Sequence, residues 1–138
     1  MPAAEVLDAT WRAVPETVPT ARHAVRAYLS AAETSDPPSS DIALAVSEAV
    51  TNVVQHAYAQ DDPGSVRVRV EIHEREVEVM VQDDGAGVVP RPDSPGIGLG
   101  LPLIATISER FDVRKRRGGG TRVCIWFLLD PDAATLDD

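Results

Sequence analysis

Alternation of apolar and charged residues between positions 66 and 82 is the clearest pattern in the chain. A row of valines and an isoleucine alternates with charged residues, and a second row of valines follows the Glu74-Arg75 turn. A period of two residues is typical of strands with one buried face, so this segment predicts an antiparallel hairpin. A second hairpin is predicted near the C-terminus, with strands at 111–115 and 121–129 and a glycine turn between them.

Three other segments have apolar residues at helical spacing. The first predicted helix runs from Pro19 to about Glu33. The second, from Asp41 to Ala59, is long and free of glycine and proline, and Ser39 or Ser40 can cap its first turn. The third is predicted from near Gly98 to about Arg110, after a loop rich in glycine and proline.

The order of these elements predicts an α+β fold in a single domain. We expect a two-layer sandwich, in which three helices cover one face of a mixed, mostly antiparallel sheet. Residues 1 to about 15 alternate only loosely and are expected to form an irregular or strand-forming arm. A chain of 138 residues can bury a core of this kind without disulfides.

Charge and composition exclude several classes of partner. Thirteen basic and 22 acidic residues give a formal net charge of −9, which disfavours binding to nucleic acid or to an anionic membrane surface. The basic cluster Arg114-Lys115-Arg116-Arg117 leads into three glycines and is expected to be a solvated hairpin end. Cys124 cannot form an internal disulfide, and no apolar run is long enough to span a bilayer, so a cytoplasmic protein is expected.

The second predicted helix carries the first candidate functional residues. At about 100° per residue, Glu48 and Asn52 lie opposite a narrow apolar stripe, with His56 beside them; the stripe consists of Val46, Val50, Val53 and Ala57. Glu48 is the only acidic or basic side chain from Ile42 through Gln60, histidine aside. A carboxylate and an amide at i and i+4 can together hold a hard cation and accept a proton, although a plain solvated face is the alternative.

A second candidate follows the second predicted strand, at Asp83-Asp84-Gly85-Ala86-Gly87. Glycines at these positions let the backbone pass close to a flat ligand, and the carboxylate of Asp83 can accept a hydrogen bond from an exocyclic amine such as that of adenine. An ordinary Asp-Gly turn is the alternative.

The third candidate is the run Gly96-Ile97-Gly98-Leu99-Gly100-Leu101, which opens the third predicted helix. The unpaired N–H groups at a helix N-terminus bind anions, so this run predicts a phosphate site, with a flexible hinge as the alternative. Neither the Gly-Lys-Ser/Thr loop nor the dinucleotide fingerprint is present.

Together these segments closely resemble the nucleotide-binding boxes of the histidine-kinase-like ATPases. Among them, the helix segment from Glu48 to Tyr58 resembles the corresponding box of the bacterial anti-sigma factor serine/threonine kinases. The matching segments are Glu48-Ala49-Val50-Thr51-Asn52-Val53-Val54-Gln55-His56-Ala57-Tyr58, Asp83-x-Gly85-x-Gly87, Gly98-Leu99-Gly100-Leu101 and Gly120-Thr121. The resemblance covers about residues 18–128, which leaves an N-terminal arm at 1–17 and an acidic tail at 130–138. It implies a Bergerat-type ATP-binding fold.

The resemblance also implies roles for individual residues. Asn52 would hold the Mg²⁺ ion that bridges the ATP phosphates, and Glu48 would act as general base toward a substrate serine or threonine. Asp83 would bind the adenine amino group. The other implied nucleotide contacts are Gly85 and Gly87 at the adenine, Thr121 beside it, and Gly98, Leu99, Gly100 and Leu101 at the phosphates. His56 matches the motif too, but a structural role is the alternative to ligand contact.

The resemblance implies a protein kinase whose substrate is an anti-sigma factor antagonist and which also binds a sigma factor; homodimers are common in the family. Two departures weaken the prediction of fast phosphoryl transfer: the lid from Val88 to Pro95 is short, and Gly96 stands where well-known members have an arginine, for which Arg91 could substitute only if the loop folds back. A non-catalytic, nucleotide-dependent binding module is therefore the alternative function, and a detached sensor histidine-kinase domain is a third.

Overall fold

The computed structural model describes residues 6–36, 38–59, 61–85 and 100–129. It contains five strands: β1 (Leu7–Arg12), β2 (Ser65–Ile72), β3 (Glu76–Asp83), β4 (Arg110–Lys115) and β5 (Thr121–Leu128). They form one sheet in the order β1-β2-β3-β5-β4, and each neighbouring pair is antiparallel. Both predicted hairpins are confirmed, and the predicted arm supplies the edge strand β1.

Three α-helices accompany the sheet: α1 (Thr17–Ala31), α2 (Pro38–Asn52) and α3 (Gly100–Ile107). They pack on one face, where α2 contacts β3 and β5, α1 contacts β1, and α3 contacts β4. The predicted α+β sandwich is therefore confirmed. None of the helices in the described part of the chain is long and apolar enough to cross a membrane.

The second helix differs from its prediction at both ends. It begins at Pro38 rather than Asp41, since proline is suited to a first turn. The acceptor at this end is Asp36, whose Oδ1 accepts hydrogen bonds from the backbone N–H and the hydroxyl of Ser40 at 3.0 and 2.8 Å. The prediction that Ser39 or Ser40 supplies the cap was therefore wrong.

The α-helical part of this segment ends at Asn52, where the prediction continued to Ala59. A π-helical turn follows at Val53–Ala57, and Tyr58 is already extended. π-turns inside helices are rare and frequently occur at functional sites. The π-turn begins directly after the candidate residue Asn52 and contains the candidate residue His56.

The other two helices also differ from prediction at their ends. The first begins and ends two residues earlier than expected, at Thr17 and Ala31. The third ends at Ile107 instead of Arg110, because Arg110 is already the first residue of β4.

The core lies between the helices and the covered face of the sheet. Two valine rows are at most 1% exposed, and Ile125 and Phe127 continue the face at 0% and 2%; the rows are Val66, Val68, Val70, Val77, Val79 and Val81. The predicted apolar stripe of the second helix is buried against them. Cys124 is only half-buried, because its neighbour Ile125 takes the covered side of β5.

Candidate functional site

A cleft opens between the second helix with its π-turn, the end of β3, the start of β5 and the start of α3. The space between these elements, including the part that is open to solvent, is about 410 Å³. The described residues that line it are Ala49, Asn52, Val53, His56, Ala57, Asp83, Leu101, Thr121 and Val123. Five residues predicted from the sequence as site residues therefore line one cleft: Asn52, His56, Asp83, Leu101 and Thr121.

Strand periodicity places two of these residues. Asp83 continues the buried row Val77, Val79, Val81, and Thr121 begins the row that continues with Val123 and Ile125. Each side chain thus points to the covered face, at the end of its strand, where the apolar core gives way to the cleft. Asp83 is 6% exposed and Thr121 is 5% exposed.

The carboxylate of Asp83 is held by backbone groups. Its Oδ1 accepts a hydrogen bond from the N–H of Gly85 at 2.9 Å. Burial raises the pKa of this carboxyl above its usual value, while hydrogen bonds from the N–H groups of Gly85 and Thr121 act in the opposite direction. A buried carboxylate of this kind can accept a further hydrogen bond from a donor in the cleft, such as an exocyclic amine.

Close backbone approaches require glycine on both sides of this carboxylate. A Cβ at Gly120, whose φ is +95°, would lie 2.0 Å from the carbonyl oxygen of Asp83. A Cβ at Gly85 would lie 2.1 Å from the carbonyl oxygen of Ala57. Gly120 thus lets β5 start against the turn, and Gly85 lets the turn pass under the π-turn.

The helix contributes the other polar residues. Asn52 and His56 both line the cleft and are half-buried. Glu48 is half-buried one helical turn before Asn52, about 6 Å along the axis, but is not among the residues that line the cleft. Within the described residues, the side chains of Glu48 and Asn52 make no hydrogen bond or ion pair.

Several predicted site residues are outside the described residues: Gly87, Gly98 and Leu99, together with the short segment from Val88 to Pro95 and its neighbour Gly96. Gly85 is buried at the turn after β3. Gly100 is the first residue of α3, so its backbone belongs to the helix N-terminus as predicted.

Two residues at this site were given no role from the sequence. The hydroxyl of Tyr58 donates to the carbonyl of Ser65 and accepts from the N–H of Asp84. Arg116 donates to the carbonyl of Asp83 and pairs with Asp84. The prediction of a solvated hairpin end holds for the exposed Arg114, Lys115 and Arg117 but was wrong for Arg116, whose side chain is 25% exposed.

The geometry of this cleft agrees with a comparison against known families. Residues 11–127 match the family described as the histidine kinase-like ATPase domain. The chain belongs to this family. This match confirms the resemblance to the histidine-kinase-like ATPases, and the relatives named below confirm the resemblance to the anti-sigma factors.

Similar curated proteins carry the name anti-sigma F factor. The protein from Clostridium novyi is 32% identical over 114 residues, which cover 75% of this chain and 80% of the relative. The protein from Clostridium beijerinckii is 33% identical over 116 residues, which cover 81% of that relative. The protein from Pasteuria penetrans is 36% identical over 115 residues, which cover 77% of that relative.

Two solved structures share the fold. The RsbU and RsbW domains of a Mycobacterium tuberculosis protein match with a TM-score of 0.73 at 24% identity, over 92% of this chain and 33% of that chain. The SiaB–SiaC complex from Pseudomonas aeruginosa matches with a TM-score of 0.61 at 16% identity, over 91% of this chain. At these identities the likeness supports the fold alone.

Proposed function

We propose that this protein is an ATP-dependent anti-sigma regulatory factor, which acts as a serine/threonine protein kinase on an anti-sigma factor antagonist. The observation that carries the proposal is the convergence of Asn52, Asp83 and Thr121 on one cleft in a histidine kinase-like ATPase domain. The names of its relatives supply the regulatory context.

The adenine would occupy the end of the cleft near β3 and β5. Asp83 would accept from the exocyclic amine, Thr121 would lie beside the ring, and the apolar side chains of Ala57 and Val123 would contact its faces. The phosphates would then extend toward the N-terminus of α3 at Gly100, where unpaired N–H groups favour negative charge.

Asn52 fits the role of magnesium ligand. Its amide lines the cleft and is not engaged by other described residues, and an amide oxygen is a hard ligand of the kind that Mg²⁺ accepts together with phosphate oxygens. A bound ion would neutralise charge on the phosphates. The residues present therefore fit the group, and the proposed cofactors are ATP and Mg²⁺.

Glu48 is proposed as the general base. It lies one turn before Asn52 on the same helix, half-buried, so a substrate hydroxyl would have to approach the cleft from that side of α2. Glu48 would accept the hydroxyl proton as the oxygen bonds to the terminal phosphorus, the bond from that phosphorus to the bridging oxygen would break, and ADP would leave.

Phosphorylation would act as the switch between partners. A phosphoserine adds two negative charges at pH 7 at most, and a chain with a net charge of −9 offers it a poor surface. The phosphorylated antagonist would leave and the sigma factor would bind in its place. A homodimer is proposed from the family alone.

Replacement of one carboxylate tests the kinase proposal. Glu48→Gln should keep the ATP affinity, because the base does not hold the nucleotide, and should lower phosphoryl transfer about 100-fold or more. The assay is incubation with radiolabelled ATP, Mg²⁺ and candidate antagonists from the same genome, followed by mapping of the labelled residue. Glu74→Gln, on an exposed hairpin turn, is the matched control.

The alternative function is a non-catalytic module that sequesters its partner when nucleotide is bound. The position of Glu48 outside the lining residues favours it. In that case wild-type protein transfers no label to any antagonist, and Glu48→Gln leaves partner binding and its dependence on ATP unchanged. Label on an antagonist serine or threonine would exclude this alternative.

A further inference from the structure

The peptide group between Asp83 and Asp84 is bound by side chains at both of its ends. Its N–H, on Asp84, donates to the hydroxyl of Tyr58 at 2.8 Å. Its carbonyl, on Asp83, accepts from Nη1 of Arg116 at 2.8 Å. Both side chains come from other elements, the end of the π-turn and the turn between β4 and β5.

Tyr58 is itself fixed from the opposite side. Its hydroxyl donates to the carbonyl of Ser65 at 2.7 Å, so the same oxygen bridges the first residue of β2 and the residue after β3. With its single proton donated to Ser65 and one lone pair accepting from Asp84, the hydroxyl is held in one orientation. Removing this oxygen leaves both the Asp84 N–H and the Ser65 carbonyl without that partner.

Arg116 is held by two acceptors. It pairs with the Asp84 carboxylate as well as the Asp83 carbonyl. Its side chain is 25% exposed, against 77% for Arg114 two residues earlier. The low exposure shows that Arg116 is packed against the turn and does not extend into solvent as its neighbours in the basic cluster do.

The orientation of this peptide group affects how the Asp83 carboxylate is held. The side chain branches from the Cα that precedes the peptide carbonyl, and its Oδ1 accepts from the N–H of Gly85 two residues on. A rotation of the peptide would move both the side chain and the N–H that holds it. The carboxylate that faces the cleft is thus fixed through groups that do not line the cleft themselves.

We propose that Tyr58 and Arg116 are positioning residues that hold the Asp83–Gly85 turn in the orientation that selects adenine over purines lacking the exocyclic amine. This inference rests on the proposed binding of ATP. Neither residue touches the nucleotide; each acts through the peptide group that precedes Asp84.

The test is equilibrium binding of ATP and of ITP, which carries an oxygen in place of the amine. Wild-type protein should prefer ATP. Tyr58→Phe and Arg116→Gln should each weaken ATP binding about tenfold, since a hydrogen bond to a charged group is lost or misaligned. ITP binding should stay within about twofold of wild type, so the ratio of the two affinities falls. Arg117→Gln, an exposed neighbour, is the control and should keep the wild-type ratio.

The conservative variant Arg116→Lys separates positioning from general stability. A lysine can still donate to one carbonyl, so it should recover part of the ATP preference, while thermal unfolding checks that each variant is folded. If Arg116→Gln does not fold, Tyr58→Phe and Arg116→Lys decide the question.

The outcomes distinguish this inference from the function on which it rests. Equal losses for ATP and ITP, or an unchanged ratio in folded variants, overturn the positioning role and leave ATP binding intact. Wild-type protein that binds no ATP overturns the proposed function, and the inference with it.

Discussion

The two faces of the sheet are made by the same strands and are stabilised by different interactions. On the covered face, alternate residues of β2, β3 and β5 are buried against the helices, and most are fully inaccessible. On the open face, the intervening residues form exposed ion pairs, such as Arg67 with Asp8 at 2.7 Å and Arg110 with Glu76 at 2.9 Å. The cleft opens where the covered face ends.

One aspartate from each face shows the consequence. On the open face, a hydrogen bond from Arg67 lowers the pKa of Asp8, and the positive charge of Arg67 adds to the effect. On the covered face, burial raises the pKa of Asp83. The same side chain is thus stabilised as an anion where an arginine donates to it in solvent, and destabilised as an anion where burial removes it from water. A carboxylate kept at such a cost is a functional-site candidate.

The largest difference between the faces should be found in stability. Ile125→Ala on the covered face should lower the free energy of unfolding by about 3 kcal/mol, because it removes buried apolar surface and leaves a cavity. Arg122→Ala on the same strand should lower it by about 0.5 kcal/mol, since Arg122 is exposed and, among the described residues, its side chain donates to Gln82 alone. Urea unfolding of both variants measures the difference. Similar losses at the two positions would contradict the distinction between the faces.

A smaller effect is expected in the pH dependence of ATP binding. As pH falls through the raised pKa of Asp83, the carboxylate is protonated and, in the proposed ATP complex, becomes a weaker acceptor for the adenine amine. ATP affinity should decrease by about tenfold, beginning at a higher pH than an ordinary aspartate would give. Asp83→Asn should show only the pH dependence that comes from ATP itself, which isothermal titration calorimetry at several pH values would reveal.

In the unliganded protein, pH acts on stability in the opposite direction to its action on ATP affinity. A folded-state pKa above the unfolded value means that ionisation of Asp83 costs more in the folded state. The contribution of Asp83 to the free energy of unfolding therefore falls as pH rises from the ordinary pKa of aspartate, about 3.8, through the raised pKa. Asp83→Asn should lack this fall, and a variant that unfolds with the wild-type pH profile would contradict the assignment.

The smallest effect is expected at the exposed pair on the open face. Asp8→Asn should lower the free energy of unfolding at pH 7 by less than about 1 kcal/mol, because solvent screens both partners. The loss should diminish as salt is added. Since the pKa of Asp8 is lowered in the folded state, its contribution is present above about 3.8 and is lost as pH falls through the lowered pKa. A matched series of urea unfolding curves in low and high salt measures this.

Much of the fold and part of the cleft followed from local sequence patterns. The alternation that predicted β3 also places Asp83 on the buried side, because the residue lies two positions after Val81 in the same row. The glycine-led start of the third helix and Thr121 at the start of the last strand were predicted as well. Each of these features depends on residues that are near one another in the chain, so it can be predicted from the sequence without knowledge of the fold.

The contacts around Asp83 were not visible in that way. Tyr58 and Asp84 are 26 positions apart, and Arg116 and Asp83 are 33 apart. The sequence placed Arg116 in a basic cluster, and only the packing of the hairpin end against the turn distinguishes it from Arg117. The change to a π-turn after Asn52 was missed for a related reason, since the apolar stripe has the same spacing up to that point.

The sequence by itself therefore determined the strands, the helices and which side of each is buried, because burial imposes a short period on neighbouring residues. Tertiary structure alone decided which side chains bind the backbone of the Asp83–Gly85 turn and where the helix changes pitch. Those features arise from the docking of separate elements, and no local period records which groups meet when the elements pack.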